Sequence, residues 1–508
     1  MKTTSLLLHS AAILVSVLML FGCKDPAPSA SAPVLVSTEP ADGVTELEGT
    51  SLTVQFNFDS AVVIPEKSKA MITAGEATVS EVLVLARYVS ITVTGLQQGK
   101  TYTISIPTGC ICSKDAPDLY AKAISYTFTM KGRVTPDTDE WESAADAVAN
   151  MKVGWNLGNT LDSNSGAVDN MWIEGWKTAT VADYETAWGQ PQATRELIHM
   201  FKEAGFNAIR VPVTWYPHMG KLKVNIIDGK PTWDKAAWTG YEVDPVWMAR
   251  VKEVVDYVID EGLYCILNVH HDTGDATTAW LRADSASYSK YSERFKNLWN
   301  QIATQFADYG DHLVFESFNE MLDEYNSWNT SRSEGFLYIN KYNSDFVQTV
   351  RATGGNNAYR NLVLNTYAAS VDPAALKAFS VPDDSVSGHL IAEVHSYAPY
   401  QFAFDMANPA DQWTEFNDYC DSQVRGIVDA VHYELAKKGI PIIIGEYGAT
   451  SKLAEEEMAK QAACYVSQAK KHGITCFYWM ALSDGEDRSV PKWSKTKLKN
   501  AIINAYYN

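Results

Sequence analysis

Cysteine is scarce: the 508 residues contain seven, at 23, 110, 112, 265, 420, 464 and 476. A chain this long with so few, so scattered, carries no dense disulfide framework. Cys110-Ile111-Cys112 lacks the spacing of a zinc site and has no histidine nearby, so buried thiols are expected there. Positive charge is short as well, with 42 Lys and Arg against 61 Asp and Glu and a formal net charge of −19. Such a surface repels nucleic acid and anionic membrane and suits a neutral partner. The acids form no block, so they serve solubility more than recognition. No Gly-rich phosphate fingerprint follows the first apolar segment of the long C-terminal region, which disfavours a doubly wound nucleotide-binding sheet. What is plentiful is core material: 46% apolar and 11% aromatic residues describe a folded chain.

Composition divides the chain. Residues 1–22 read as a signal peptide, with Lys2 ahead of an apolar run from Leu6 to Phe21 that is short for a membrane span. Leu20-Phe21-Gly22-Cys23 resembles a bacterial lipobox, which implies a lipid on Cys23, with an ordinary signal peptide or a membrane helix as the alternatives. Lys24-Asp25 resembles the export signals of surface lipoproteins in Bacteroides-like bacteria. The expectation is an outer-membrane lipoprotein attached through Cys23 and exposed on the cell surface, the periplasmic face being the other option. Residues 23–33 are a Pro/Ala/Ser tether. From 34 to 130, alternating runs such as 52–58, 89–93 and 102–106 predict an all-β immunoglobulin-like sandwich. It carries no cluster of acids or histidines and reads as a spacer. Residues 131–144 are a polar linker.

From 145 to 508, apolar strand-like runs alternate with amphipathic helical ones, the pattern of a parallel α/β fold. Strands are expected at 153–157, 207–212, 263–269, 313–318, 361–366, 390–395, 440–445 and 475–480. Helices are expected at 192–204, 245–261, 288–309, 334–353, 417–438 and 454–472. Eight such units predict a (β/α)8 barrel, whose chemistry sits at the carboxyl ends of the strands. Those ends carry an ordered set: GWNLGNTLD (154–162), ETAWGQP (185–191), GFNAIRVPVTW (205–215), NVHHD (268–272), FESFNE (315–320), HSYAPYQFA (395–403), GEYGA (445–449) and FYWMAL (477–482). Carboxylates, Arg and His are costly to bury without a task.

This set resembles glycoside hydrolase family five, closest to its subfamily-four endoglucanases and xyloglucanases. One departure is Met321-Leu322 after Glu320, where the family often has proline. The resemblance implies a retaining endo-β-1,4-glucanase acting on cellulose, mixed-linkage glucan or xyloglucan, with mannan and xylan weaker options. It implies Glu320 as acid/base, with a raised pKa, and Glu446 as nucleophile, about 5–5.5 Å apart. Arg210 and Tyr397 would orient Glu446, and Asn319 would meet the sugar 2-hydroxyl. His270 and His395 would make polar contacts, and Trp479 would floor the site. Asn156 and Asn159 either bind sugar hydroxyls or brace the first loop.

Trp172, Trp176, Trp215 and Trp280 are candidate sugar platforms, core packing being the alternative for each. His271 is a weaker candidate for the site. The His270-His271-Asp272 run suggests a metal, but adjacent strand residues face opposite ways, so no metal or cofactor is expected. The expected partner is a β-glucan bound by a monomer. Two other readings remain, a non-catalytic glycan-binding lipoprotein and a metal-dependent barrel hydrolase. The first would be favoured by loss of either glutamate, and the second by further ligands on strands one and five; neither feature is present.

Overall fold

The computed structural model describes residues 31–47, 51–96, 100–130, 141–164, 180–228, 230–276, 278–329, 332–404, 413–450, 453–479 and 490–508. The signal segment, Cys23, most of the linker, Trp172 and Trp176 lie outside them. The chain divides into two compact units, 1–133 and 134–508.

In the first unit, strands Leu35–Glu39, Ser51–Phe58, Tyr88–Thr94 and Thr78–Leu85 form one antiparallel sheet. Val44–Leu47, Ile124–Met130 and Thr101–Ile106 form a second, mixed sheet, and Val62–Val63 pairs separately with Cys112–Ser113. Period-two alternation sends Val54, Phe56 and Phe58 inward with Val89, Ile91 and Val93. Ile104, Tyr126 and Phe128 meet them in a single core. Cys110 and Cys112 are buried free thiols.

The second unit is a closed barrel of eight parallel strands in sequence order. They span Val153–Asn156, Ala208–Val211, Tyr264–Asn268, Leu313–Glu316, Leu362–Asn365, Leu390–His395, Ile442–Tyr447 and Thr475–Tyr478. Every strand residue is buried, as expected where helices cover the outside and side chains fill the inside. Each falls within two or three residues of its expected span. The helices Arg195–Ala204, Pro245–Asp260, Ser285–Gln305, Ser333–Ala352, Asp418–Ala436 and Glu455–Lys471 fall within four residues of theirs.

Period two also orders the barrel interior. Ala208, Ile266, Val314, Val363, Ile391, Ile443 and Phe477 make an apolar layer, closed beneath by Ala144, Ala147, Val148 and Met151 of helix Ala144–Met151. Two residues further along the strands come Arg210, Asn268, Glu316, Asn365, Glu393 and Gly445, a buried polar layer. One more step reaches the mouth, with His270 and His395. An arm between the second and third strands pairs Met219–Lys221 with Thr239–Val243, and Val224–Ile227 with Lys230–Trp233.

Candidate active site

Arg210 organises the polar layer. It is fully buried and uses all three guanidinium nitrogens. Nε donates to Glu316 Oε2 (2.6 Å), and Nη2 to Glu316 Oε1 (2.8 Å) and Asn319 Oδ1 (3.0 Å). Nη1 donates to Glu446 Oε1 (2.7 Å) and Asn156 Oδ1 (3.0 Å). Burial works against this charge, but Glu316, Glu393 and Glu446 outweigh it and hold the group well above its ordinary pKa.

Glu446 reaches the mouth because the ladder slips beside it. Val394 faces Ile444, but His395 faces Glu446, leaving Gly445 as a bulge. Only glycine fits at 445, since a Cβ there would lie 1.5 Å from Glu393 Oε1. Besides Arg210, the Glu446 carboxylate accepts from Tyr397 Oη at 2.9 Å. Burial pushes its pKa up, and His395 and Arg210 pull it back.

His395 bridges the two glutamates of the mouth. Its Nδ1 lies 2.8 Å from Glu320 Oε1 and 3.5 Å from Glu446 Oε2, while Nε2 lies 3.3 Å from Glu393. Burial opposes its charge, yet Glu446, Glu320 and Glu393 raise its pKa to about 10. One oxygen of Glu320 and one of Glu446 lie within 4.8 Å of each other.

His270 accepts at Nδ1 from the Asn268 amide (3.0 Å), which also donates to Glu316 (2.9 Å). Its Nε2 therefore carries the hydrogen. Burial, with His271 and Arg210 nearby, holds it neutral, well below the usual imidazole range. Trp479 lies parallel to it, 5.5 Å away at 2°. Glycines clear the space for that indole: a Cβ on Gly158 would meet its ring at 2.8 Å, and one on Gly448 its carbonyl at 2.4 Å. Asn319 accepts from Arg210, which leaves its NH2 as the donor toward the cleft.

Of the expected set, the structure therefore gathers Arg210, His270, Asn319, Glu320, His395, Tyr397, Glu446 and Trp479 around one cleft of about 960 Å³. Other expectations need correction. Asn156 faces no sugar: it is fully buried and donates to the Gly445 carbonyl (2.9 Å), so bracing is its role. Asn159, at φ 59°, turns the first loop and does not line the cleft. Trp215 is no platform; it is fully buried, with Nε1 on the Asn268 carbonyl (2.9 Å). Trp280 is likewise core, its Nε1 on Asp272 (2.6 Å). The opposite-face argument for His270 and His271 fails because the strand ends at Asn268. Their rings meet at 4.5 Å, both line the cleft, and His271 Nε2 lies 3.7 Å from Asp162.

Glu316, Glu393 and Asn268 were not anticipated. Their signal is an acid or amide inside an otherwise apolar run, which burial tolerates only when paired. Also unanticipated are the aromatic rings of Trp328, Tyr400, Phe404, Trp413 and Tyr419, which line the cleft beyond Glu320.

Comparison with known proteins agrees with this geometry. Residues 29–130 match the bacterial Ig-like domain, and residues 172–485 match cellulase (glycosyl hydrolase family 5). Endoglucanase A of Clostridium longisporum is 37% identical over 379 residues, 72% of this chain and 66% of that protein. Endoglucanase B of Neocallimastix patriciarum is 36% identical over 378 residues, 72% of each. Among solved structures, PbGH5A, a glycoside hydrolase family 5 enzyme from Prevotella bryantii B14, shares 42% identity. Its TM-score is 0.62, over 72% of this chain and 99% of that one. A broad specificity endoglucanase from Ruminococcus champanellensis with bound cellotriose shares 35%, with TM-score 0.62, over 71% and 98%. A closed barrel, two glutamates meeting at its mouth and this run of matches leave one conclusion: the chain belongs to glycosyl hydrolase family 5.

Proposed function

We propose that the barrel unit is an endo-β-1,4-glucanase that cleaves its substrate with retention of configuration. The observation carrying this is the approach of the Glu320 and Glu446 oxygens to within 4.8 Å, bridged by one imidazole. That fits the close carboxyl pairs of double displacement, about 5–5.5 Å apart, and not the ~6.5–9.5 Å that admits a water. The hydrogen bonds support a division of roles. Glu446 is held by Arg210 and Tyr397, two donors that favour its anion, and attacks the anomeric carbon. Glu320 has neither donor; it protonates the leaving oxygen, then takes a proton from the incoming water. The Asn319 NH2 and the Nε2–H of His270 donate to sugar hydroxyls, and Trp479 presents its apolar face to the ring.

The substrates are β-1,4-glucans: cellulose, mixed-linkage glucan or xyloglucan. A crystal structure of a point mutant of PbGH5A, 42% identical to this chain, holds a xyloglucan tetradecasaccharide, which supports the last. The test is reducing-sugar release and product sizing on carboxymethylcellulose, barley β-glucan, xyloglucan, mannan and xylan, with Glu446→Ala alongside. Release from a β-1,4-glucan, lost in Glu446→Ala, is expected, with the β-anomer formed first by NMR. An α-anomer, or no release from any polymer, overturns the reading.

The sequence around residue 23 supports a lipid on Cys23 and attachment to the outer membrane, surface-exposed; on this reading the protein acts as a monomer. Cys23→Ala should shift the protein out of the membrane fraction, and protease added to intact cells should digest the wild type. Light scattering should give the mass of one chain.

A further inference from the structure

Tyr397, the hydroxyl donor to Glu446, stands on a segment with no regular structure of its own. Strand six ends at His395, and residues 396–399 run on as irregular chain. A phenol there has no ladder to fix it, yet it holds 2.9 Å to one carboxylate oxygen. The groups that steady it come from outside the barrel. Gln461 and Tyr465 lie one turn apart on helix Glu455–Lys471, share a face, and are fully buried.

The Ala398 amide donates to Tyr465 Oη (2.8 Å), and the Ser396 hydroxyl lies 2.8 Å from the same oxygen. Gln461 Nε2 donates to the Ala398 carbonyl (3.0 Å). The Ser396 amide donates to the Glu446 carbonyl (2.9 Å). Tyr397 is therefore pinned on both sides, its neighbours tied to the helix and to strand seven. The Tyr465 ring also packs on Tyr447, the residue after Glu446, at 4.9 Å. Burying a phenol is costly without partners. Among the described residues, the hydrogen-bond partners of Tyr465 Oη are Ser396 and Ala398.

On the functional reading above, Glu446 is the nucleophile and Tyr397 helps to keep it ionised. We infer that Tyr465 is a positioning residue for that nucleophile, acting through the backbone on either side of Tyr397, with Gln461 as its support. Tyr465 is fully buried and does not line the cleft, so it acts at second hand. In Tyr465→Phe the ring stays against Tyr447 and one oxygen is lost. The Ala398 amide and the Ser396 hydroxyl then lack their shared partner in a buried place, and the segment shifts to satisfy them. The Tyr397 phenol moves with it, and a carboxylate that loses a donor to its charged form has a higher pKa. A displacement of about 1 Å at a reacting group costs on the order of 10²-fold in rate.

The test uses the full chain and measures kcat/KM across pH on a dinitrophenyl cellobioside. Its leaving group departs without a proton, so acid catalysis drops out of the first step and the nucleophile is read alone. For Tyr465→Phe, shown folded by circular dichroism, kcat/KM should fall about 10- to 100-fold, with the acidic limb moved to higher pH. The double variant with Tyr397→Phe should be no slower than Tyr397→Phe alone, because both changes remove the same support. Packing alone would lower Tm, leave the limb in place and add its loss to that of Tyr397→Phe. A rate within about threefold of wild type, an unmoved limb or additive losses overturn the proposal. If Tyr465→Phe does not fold, Ser396→Ala decides. A fall of about three- to tenfold with a raised limb is then expected, and wild-type values overturn the proposal. Failure of the wild type to cleave this substrate at all would instead overturn the hydrolase reading on which this one rests.

Discussion

Replacing Arg210 with lysine separates charge from shape. The cation remains, but a guanidinium fork becomes a single ammonium. Arg210 now joins Glu316 on one side to Glu446 on the other, at 2.6 and 2.7 Å, with Asn156 and Asn319 each accepting at 3.0 Å. An ammonium can sit beside one carboxylate but not both, and the position is fully buried. A buried carboxylate left without its partner costs ~3–5 kcal/mol. Two contacts on Glu316 against one on Glu446 decide where the lysine goes, so the deficit falls on Glu446. If Arg210 supports the nucleophile in the transition state, the same energy is about 10²- to 10⁴-fold in kcat/KM at ~1.36 kcal/mol per decade. At roughly 2 °C per kcal/mol for a unit this large, Tm should fall by about 6–10 °C. Loss of the neighbouring cation also raises the Glu446 pKa, moving the acidic limb of the pH–rate profile upward. The assay is kcat and KM on an aryl cellobioside across pH, beside calorimetry. Activity within about threefold of wild type, with an unmoved acidic limb, would refute the claim that the fork holds the nucleophile.

Other outcomes follow from individual contacts. His395, ordinarily near 6.5, stands at about 10 in the fold. The stability it contributes is therefore full below about 6.5 and is lost as pH rises through about 10. Denaturant unfolding should show His395→Gln least stable relative to wild type near the lower pH, with the gap closing at the upper. Gly445→Ala puts a methyl 1.5 Å from Glu393 Oε1 and should yield misfolded or inactive protein, read by circular dichroism and activity. Trp215→Phe removes the bond from Nε1 to the Asn268 carbonyl. Tm should drop by the few degrees that ~1–2 kcal/mol brings, while KM for β-glucan stays within about twofold; a large rise in KM would restore the platform role.

The eight strands were legible because each is an apolar run that ends in groups costly to bury. Period two then carried each chemical residue to a known end of the barrel. Burial of individual rings was less legible. Trp215 and Trp280 stand near strand ends as a sugar platform would, but their indole N–H groups are taken by the Asn268 carbonyl and by Asp272. Those acceptors belong to other parts of the chain, so no local pattern exposes them. The 224–233 hairpin did leave a mark in the sequence: an Asp-Gly pair at 228–229, a common hairpin signal, separates the runs that pair as Val224–Ile227 and Lys230–Trp233. Glu316 and Glu393 left one too, as acids inside apolar strands. What the sequence does not contain is their joint grip on Arg210, because residues 210, 316 and 393 meet only when the barrel closes.

That closure explains why the site can be charged at all. Arg210 and His395 face four carboxyls, those of Glu316, Glu320, Glu393 and Glu446, within a few ångströms. Two cations cannot satisfy four carboxylates equally, so the geometry must ration them. Glu316 takes two guanidinium bonds and serves structure. Glu393 shares Arg210 at 3.5 Å and His395 at 3.3 Å, and so ties the two cations into one frame. Glu446 receives one guanidinium nitrogen, a tyrosine hydroxyl and, at 3.5 Å, the imidazole; Glu320 takes the imidazole at 2.8 Å and, among the described residues, neither of the other two donors. The two glutamates of the mouth thus differ in partners rather than in chemistry. The apolar layer beneath fixes the strands on which the frame is mounted, which is why a one-residue bulge at Gly445 is enough to bring the second glutamate to the first.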